Sequence, residues 1–203
     1  MTRIISGSAG GRRLLAPKGD ATRPTSDRVR EALFGALEAR GLIEGARVLD
    51  LFCGSGALGL EAMSRGAASA VLVDAGRPAV EAARTNVATL KFTQASVVLS
   101  PVQKFLESRS VTPVDLVLAD PPYPLDEAGL GAMLTSLAER GWLAQEATVV
   151  LERSGRSPEP EWPKGMFREA LRRYGETAVW QAVWDPETGP GHESGGGGGP
   201  VAE

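Results

Sequence analysis

The chain has 203 residues, 42% of them hydrophobic and 23% charged, enough for one medium-sized domain with a buried core. No run approaches ~18 apolar residues, and the start, "MTRIISGSAGG", lacks the apolar stretch of a secretory signal, so a cytoplasmic protein with no membrane contact is expected. The single cysteine, Cys53, excludes an internal disulfide framework, and the single histidine, His192, lies in "GPGHESGGGGGP", so neither a metal site nor a histidine general base is expected.

Read from the N-terminus, "RIISG" and "RRLLAP" flank Gly10-Gly11 and predict a small hairpin outside the main sheet. From residue 25, helical and strand patterns alternate. In "TSDRVREALFGALEAR", Val29, Ala32, Leu33, Ala36 and Leu37 recur at the spacing of one helix face, with Thr25 or Ser26 available as N-cap. "ARVLDLF" reads as a strand and "ALGLEAMSRG" as a helix closed by Gly66. Then come "SAVLVD" as strand, "RPAVEAARTNVATL" as helix, "ASVVLS" and "VDLVLAD" as successive strands, "EAGLGAMLTSLAERG" as helix and "ATVVLE" as strand.

Strands of nearly continuous Val, Leu and Ala between helices indicate a parallel sheet covered on both faces, a doubly wound α/β domain. "FREALRRYGETAVWQAVW" departs from that pattern. Its two strand-like runs meet at Gly175-Glu176 and predict an antiparallel hairpin closing the sheet edge. After Trp184 the composition predicts disorder.

The net charge of −3 is unevenly spread. Residues 1–30 carry Arg3, Arg12, Arg13, Lys18, Arg23, Arg28 and Arg30 against Asp20 and Asp27, a net +5 that leaves −8 for the remainder. A basic arm on an acidic body predicts a polyanion docking at that end; a solvated terminus is the plainer reading of the same charges.

"VLDLFCGSGALGLE" places Gly54, Gly56 and Gly59 after a strand and at the opening of a helix. Such a loop lets main chain approach a ligand, and by itself fits a nicotinamide dinucleotide as well as S-adenosylmethionine. Asp74, at the end of the second strand, is placed to accept ribose hydroxyls of either cofactor. Asp50, just before the loop, would repel a pyrophosphate and attract an ammonium or sulfonium, which favours S-adenosylmethionine. Its alternative role is to cap the loop by accepting N–H bonds. Cys53 reads as a packing residue rather than a nucleophile.

"LADPPYPLD" ends the fourth strand, on the side where open α/β sheets bind ligands. An exocyclic amine on a base is a poor nucleophile because its lone pair is delocalised into the ring. The carboxylate of Asp120 and the carbonyl of Pro121 can each accept one of its N–H groups, and Tyr123 offers a face for stacking a flipped base. Asp-Pro-Pro-Tyr suits guanine N2, adenine N6 and a glutamine amide alike. Outside this class stand a nicotinamide oxidoreductase and a non-catalytic RNA-binding assembly protein.

"RIISGSAGGRRL", "TRPTSDRVREALF", "DLFCGSGALGLEAMSRGA" and "DPPY" together resemble the bacterial RsmD-type methyltransferases, over roughly residues 2–184. The resemblance implies methyl transfer from S-adenosylmethionine to guanine N2 in small-subunit (16S) ribosomal RNA, free or in an assembling 30S subunit; a monomer is the default expectation. It implies a basic RNA-binding extension over 1–24, a Rossmann-like methyltransferase domain over 25–184 and a tail over 185–203. The implied cofactor residues are Thr25, Arg28, Asp50, Phe52, Gly54, Ser55, Gly56, Asp74, Val102 and Asp120. Asp120, Pro121 and Tyr123 fall at the target base. Arg3, Arg12, Arg13, Lys18, Arg23 and Arg30 are the expected RNA contacts. Gly76-Arg77-Pro78 departs from a helix-friendly start after Asp74, and Pro78 is tolerated there only in the first helical turn.

Overall fold

Aliphatic runs five to twelve residues long make the strands of a single sheet, seen in a computed structural model that describes residues 2–17, 27–108, 112–122 and 125–187. The strands are β1 (Arg47–Leu51), β2 (Ser69–Asp74), β3 (Ala95–Leu99), β4 (Val114–Ala119), β5 (Leu143–Ser154), β6 (Met166–Tyr174) and β7 (Thr177–Trp184). Their order is β3-β2-β1-β4-β5-β7-β6. The first five pair in parallel, and β7 lies antiparallel between β5 and β6. The hairpin expected around Gly175-Glu176 therefore closes one edge. The topology reverses between β1 and β4, and in open α/β sheets the ligand crevice lies at that switch point.

Among the described residues five α-helices cover the sheet: α1 (Asp27–Ala39), α2 (Ala57–Ser64), α3 (Arg77–Leu90), α4 (Val102–Glu107) and α5 (Glu127–Glu139). Side chains alternate between the two faces along each strand. In β4, Leu116 and Leu118 join Leu33, Phe34, Leu37 and Leu60 in one core, whereas Val117 and Ala119 join Leu49, Leu134 and Leu137 in the other. The sequence reading had no helix between β3 and β4. Six residues of "VQKFLE" are too few to display a period, yet a parallel crossover needs a connection of a dozen or so residues, and α4 supplies part of it. At α3 the helix begins at Arg77 with Pro78 in its first turn, so the unusual start leaves the strand-helix junction intact.

The N-terminal hairpin consists of one antiparallel bridge, Arg3 with Arg13, around a 3₁₀ turn at Gly7–Ala9. Ile4, Ala9 and Leu14 are buried in the same core as α1 and α2. A fully buried aliphatic side chain contributes about 1.5–3 kcal/mol. At Gly7, φ is +82° and a Cβ would lie 1.9 Å from the main-chain oxygen of Ser64, so only glycine permits this approach to α2. The tail beyond Glu187 lies outside the described residues, as do Lys18, Arg23, Thr25 and Tyr123. Among the described residues no helix is long and apolar enough to cross a membrane.

Two sequence expectations for α1 need correction. Ala32 is exposed, and the buried stripe is Val29, Arg30, Leu33, Phe34 and Leu37. Arg30, expected to meet RNA phosphates, has 0% of its surface exposed. Its Nη2 donates to the carbonyl of Arg3 and to Asp27 Oδ1, each at 2.7 Å, and its Nη1 lies 4.0 Å from Glu61 Oε2. Arg30 holds the N-terminal segment from inside.

Candidate active site

The carboxyl ends of β1, β2 and β4 are brought side by side by the register: Leu51 pairs with both Val73 and Ala119. Cys53 N–H donates to the carbonyl of Val73 at 3.0 Å, and Asp120 N–H to that of Leu51 at 3.5 Å. The chain leaves β1 through Phe52, a non-glycine residue at φ +59°. Left-handed backbone of this kind concentrates at functional turns. Gly54 and Gly56 follow at φ +55° and +82°. A Cβ on Gly56 would meet the Leu72 side chain at 2.6 Å, whereas one on Gly54 would point into open space. Gly56 is therefore required by packing, while Gly54 leaves its main chain accessible.

Asp74 organises this loop from the end of β2. Its Oδ2 accepts the Gly54 N–H at 2.9 Å and its Oδ1 the Gly76 N–H at 2.7 Å. Asp50 lies one strand over, 1% exposed. Its Oδ2 accepts the Gly59 N–H at 2.8 Å, and its Oδ1 has no hydrogen-bond partner among the described residues. Burial pushes its pKa up to about 7; the Gly59 N–H opposes this, and the charges of Asp120 and Asp74 add to it. The two roles read from the sequence coexist in Asp50: one oxygen caps the loop, and the other is left over.

Burial also raises the pKa of the Cys53 thiol, with the charges of Asp50 and Asp74 adding to it. A thiol so held is a packing group rather than a thiolate nucleophile. Ser55 is half-buried, and its carbonyl accepts from Asn86 Nδ2 at 2.9 Å. Val102, at the start of α4, is buried in the core that contains Leu51 and Val73. Phe52 packs against that core.

Asp120 and Pro121 are half-buried beyond β4. The loop is held at its far end, where Leu125 N–H donates to the carbonyl of Pro122 at 2.9 Å and Asp126 caps α5 by accepting from Gly129 N–H at 2.8 Å. Arg153 of β5 binds both carboxylate oxygens of Glu127 in the first turn of α5. Arg28 is exposed on the first turn of α1. Of the expected RNA contacts, Arg3, Arg12 and Arg13 are exposed on the N-terminal segment; Arg3 pairs with Asp27 at 3.2 Å, and Arg12 Nη2 donates to the carbonyl of Thr89 at 3.1 Å.

Sequence reasoning missed the buried polar groups that dock this segment. Glu61 accepts the N–H of Ile5 at 2.7 Å, that of Ser6 at 3.1 Å and Arg65 Nε at 2.8 Å. Ser64 Oγ accepts from Ala9 N–H at 2.9 Å. A signal was available, because "ALGLEAMS" is apolar nearly all round, and a helix of that kind is buried on every side. An acid within it must be paired.

A leftover carboxylate oxygen, a second acid beside the loop and an unobstructed glycine backbone suit a ligand with a cationic amino-acid end and a hydroxylated ribose, as S-adenosylmethionine has. Among the described residues no group of three or more His, Cys, Asp or Glu could hold a metal ion. The fold is shared with magnesium protoporphyrin IX methyltransferase from Synechocystis PCC 6803, solved with bound SAM, at TM-score 0.60 and 16% identity, covering 78% of this chain and 79% of that one. The fold is thus that of the Rossmann-like S-adenosylmethionine-dependent methyltransferases.

The family model described as Conserved hypothetical protein 95 matches residues 2–183. Ribosomal RNA small subunit methyltransferase D of Escherichia coli (strain K12) is 44% identical over 150 residues, 74% of this chain and 73% of that protein. The putative rRNA methyltransferase YlbH of Bacillus subtilis (strain 168) is 35% identical over 180 residues, 87% of this chain and 96% of that one. A solved structure described as putative methyltransferase yhhF from Escherichia coli superposes with TM-score 0.81 at 36% identity, covering 91% of this chain and 98% of the other. The chain belongs to this family, that of the RsmD methyltransferases its sequence resembles.

Proposed function

We propose that this chain transfers a methyl group from S-adenosylmethionine to the exocyclic N2 amine of a guanine in small-subunit (16S) ribosomal RNA, in the cytoplasm. The observation that carries the reading is the convergence of Asp50, Asp74 and Asp120 at the switch point between β1 and β4, in a chain of this family. The names of the relatives from Escherichia coli and Bacillus subtilis support rRNA as the substrate class.

When bound, S-adenosylmethionine supplies an electrophilic methyl on a sulfonium. The chain's own residues bind and orient. Asp74 would receive ribose hydroxyls, Asp50 would balance positive charge, and the main chain at Gly54 would hold the amino-acid portion. Asp120 and the carbonyl of Pro121 accept the two N–H groups of the target amine, which turns its lone pair out of conjugation. Tyr123 stacks on the base, a contact worth about 1–3 kcal/mol in single-strand complexes. Once the methyl has passed from sulfur to nitrogen, with the S–C bond broken as the N–C bond forms, Asp120 would take the surplus amine proton or pass it to water. Positioning of this kind supplies most of the rate. Arg3, Arg12 and Arg13, with Lys18 and Arg23, hold phosphates on the N-terminal side.

Mass-spectrometric mapping of ribosomal RNA from cells with and without the gene tests the reading. The expected result is loss of one N2-methylguanine from 16S rRNA. Loss of an N6-methyladenine, or intact rRNA with a methyl missing from a protein glutamine, would replace it.

A further inference from the structure

We propose that Asn86 is a positioning residue that ties the N-terminal segment to the glycine loop, so that RNA on the segment and cofactor on the loop strengthen each other's binding. The inference rests on the RNA-methyltransferase reading above.

Asn86 lies on the inner face of α3, 3% exposed. Its Oδ1 accepts the Leu15 N–H at 2.8 Å, and its Nδ2 donates to the Leu15 carbonyl at 3.0 Å and to the Ser55 carbonyl at 2.9 Å. A primary amide has two N–H hydrogens, so one is engaged by each segment. By pairing with both main-chain groups of Leu15, the side chain takes the place of a neighbouring strand.

What the amide joins is unequal in stiffness. Ser55 sits between two glycines, which carry no side chain to restrict the backbone on either side of it. On one side the Gly54 N–H is held by Asp74, and on the other the Ser55 carbonyl is held by Asn86. Leu15 closely follows the exposed Arg12 and Arg13, and Arg12 binds the carbonyl of Thr89 in the last turn of the same helix. The rest of the segment is fastened to α2, the helix that leaves the glycine loop, through Glu61 and Ser64. A phosphate on these arginines and a ligand on the loop therefore restrain opposite ends of one hydrogen-bonded link. Coupling between two such sites is reciprocal: each ligand changes the other's affinity by the same factor.

The test is a thermodynamic cycle. Wild-type protein and Asn86→Ala are titrated with S-adenosylhomocysteine, alone and with small ribosomal subunits from cells lacking the gene. In the wild type the subunits are expected to tighten S-adenosylhomocysteine binding by about 5-fold or more, the lower end of measured couplings. In Asn86→Ala each ligand still binds and the ratio falls to near one. A purely structural role would weaken both ligands and leave the ratio unchanged, which would overturn the inference; a wild-type ratio of one does the same. Wild-type protein that binds S-adenosylhomocysteine but no subunits overturns the functional reading itself. Should Asn86→Ala fail to fold, hydrogen exchange on the wild type decides: S-adenosylhomocysteine slows exchange of the Leu15 amide, and an unchanged rate overturns the link.

Discussion

Among the described residues two carboxylates are sealed from solvent, Glu61 on α2 at 0% exposure and Asp50 on β1 at 1%, and they are surrounded in opposite ways. Glu61 has Arg65 at 2.8 Å, Arg30 at 4.0 Å and two main-chain N–H groups. Arg65 in turn reaches Glu38 at 2.9 Å and lies 5.5 Å over the Phe34 ring. Asp50 has one N–H, and the charges acting on it are those of other acids. Burial alone does not separate a structural acid from a functional one; the partners do. Where the protein itself completes the carboxylate's hydrogen bonds and charge, the group fastens one segment to another. Where it leaves an oxygen over, as at Asp50, the proposed function assigns that oxygen to the cationic end of the cofactor.

Replacing Glu61 tests the structural half of that contrast most severely. Glu61→Ala leaves Arg30 and Arg65 buried without their shared carboxylate and frees the N–H groups of Ile5 and Ser6. A loss of about 3–5 kcal/mol is expected, measured by urea denaturation. A loss below about 1 kcal/mol, the range of an exposed ion pair, would erase the distinction between the two regions.

At the sheet rim the expected cost falls on activity instead. Asp120→Ala should lower turnover by at least ~10²-fold, the scale of a lost transition-state contact, while S-adenosylhomocysteine affinity and the melting temperature stay near wild type. Single-turnover kinetics beside calorimetry separates the two effects, and unchanged turnover would remove the proposed role of Asp120.

A smaller effect is carried by the pH dependence of stability. With its folded-state pKa raised to about 7, Asp50 keeps a proton in the folded chain that the unfolded chain releases. Its contribution to stability is full below the ordinary aspartate pKa and is lost as the pH rises through about 7, with a slope no steeper than about 1.4 kcal/mol per pH unit. Asp115 and Glu127 have the opposite sign. Arg47 holds Asp115 low and Arg153 holds Glu127 low. For Asp27, burial raises the pKa, but hydrogen bonds and charge from Arg30 and Arg3 prevail and lower it. The stability these acids contribute is present above the ordinary carboxylate range and lost as the pH falls below it. Denaturation curves of wild type and Asp50→Asn should therefore differ in slope between about pH 4 and 7 and run parallel above that range. Parallel curves throughout would remove this contribution of Asp50.

The sequence showed the strands because each alternates or runs apolar within a window that local pattern alone can read. It showed the loop and Asp-Pro-Pro-Tyr because glycine and proline declare backbone geometry wherever they stand. It misplaced Arg30, although the residue shares a helix stripe with Leu33, Phe34 and Leu37. Its partners are Asp27 on the same helix and, from distant parts of the chain, the carbonyl of Arg3 and Glu61, and only folding brings the distant ones to it. Asn86 was unreadable for the same reason, since both of its partners are main-chain groups on distant segments.

What the amino-acid order determined by itself was therefore the identity and place of the parts: the alternating elements, the glycine turn, the acids at strand ends and the basic N-terminus. Only the tertiary structure decided which charges are neutralised within the protein and which remain for a ligand. The reason is physical. Solvation and pairing of a buried charge depend on every group within a few ångströms, and at Glu61 and Asp50 those groups come from several elements that only folding brings together.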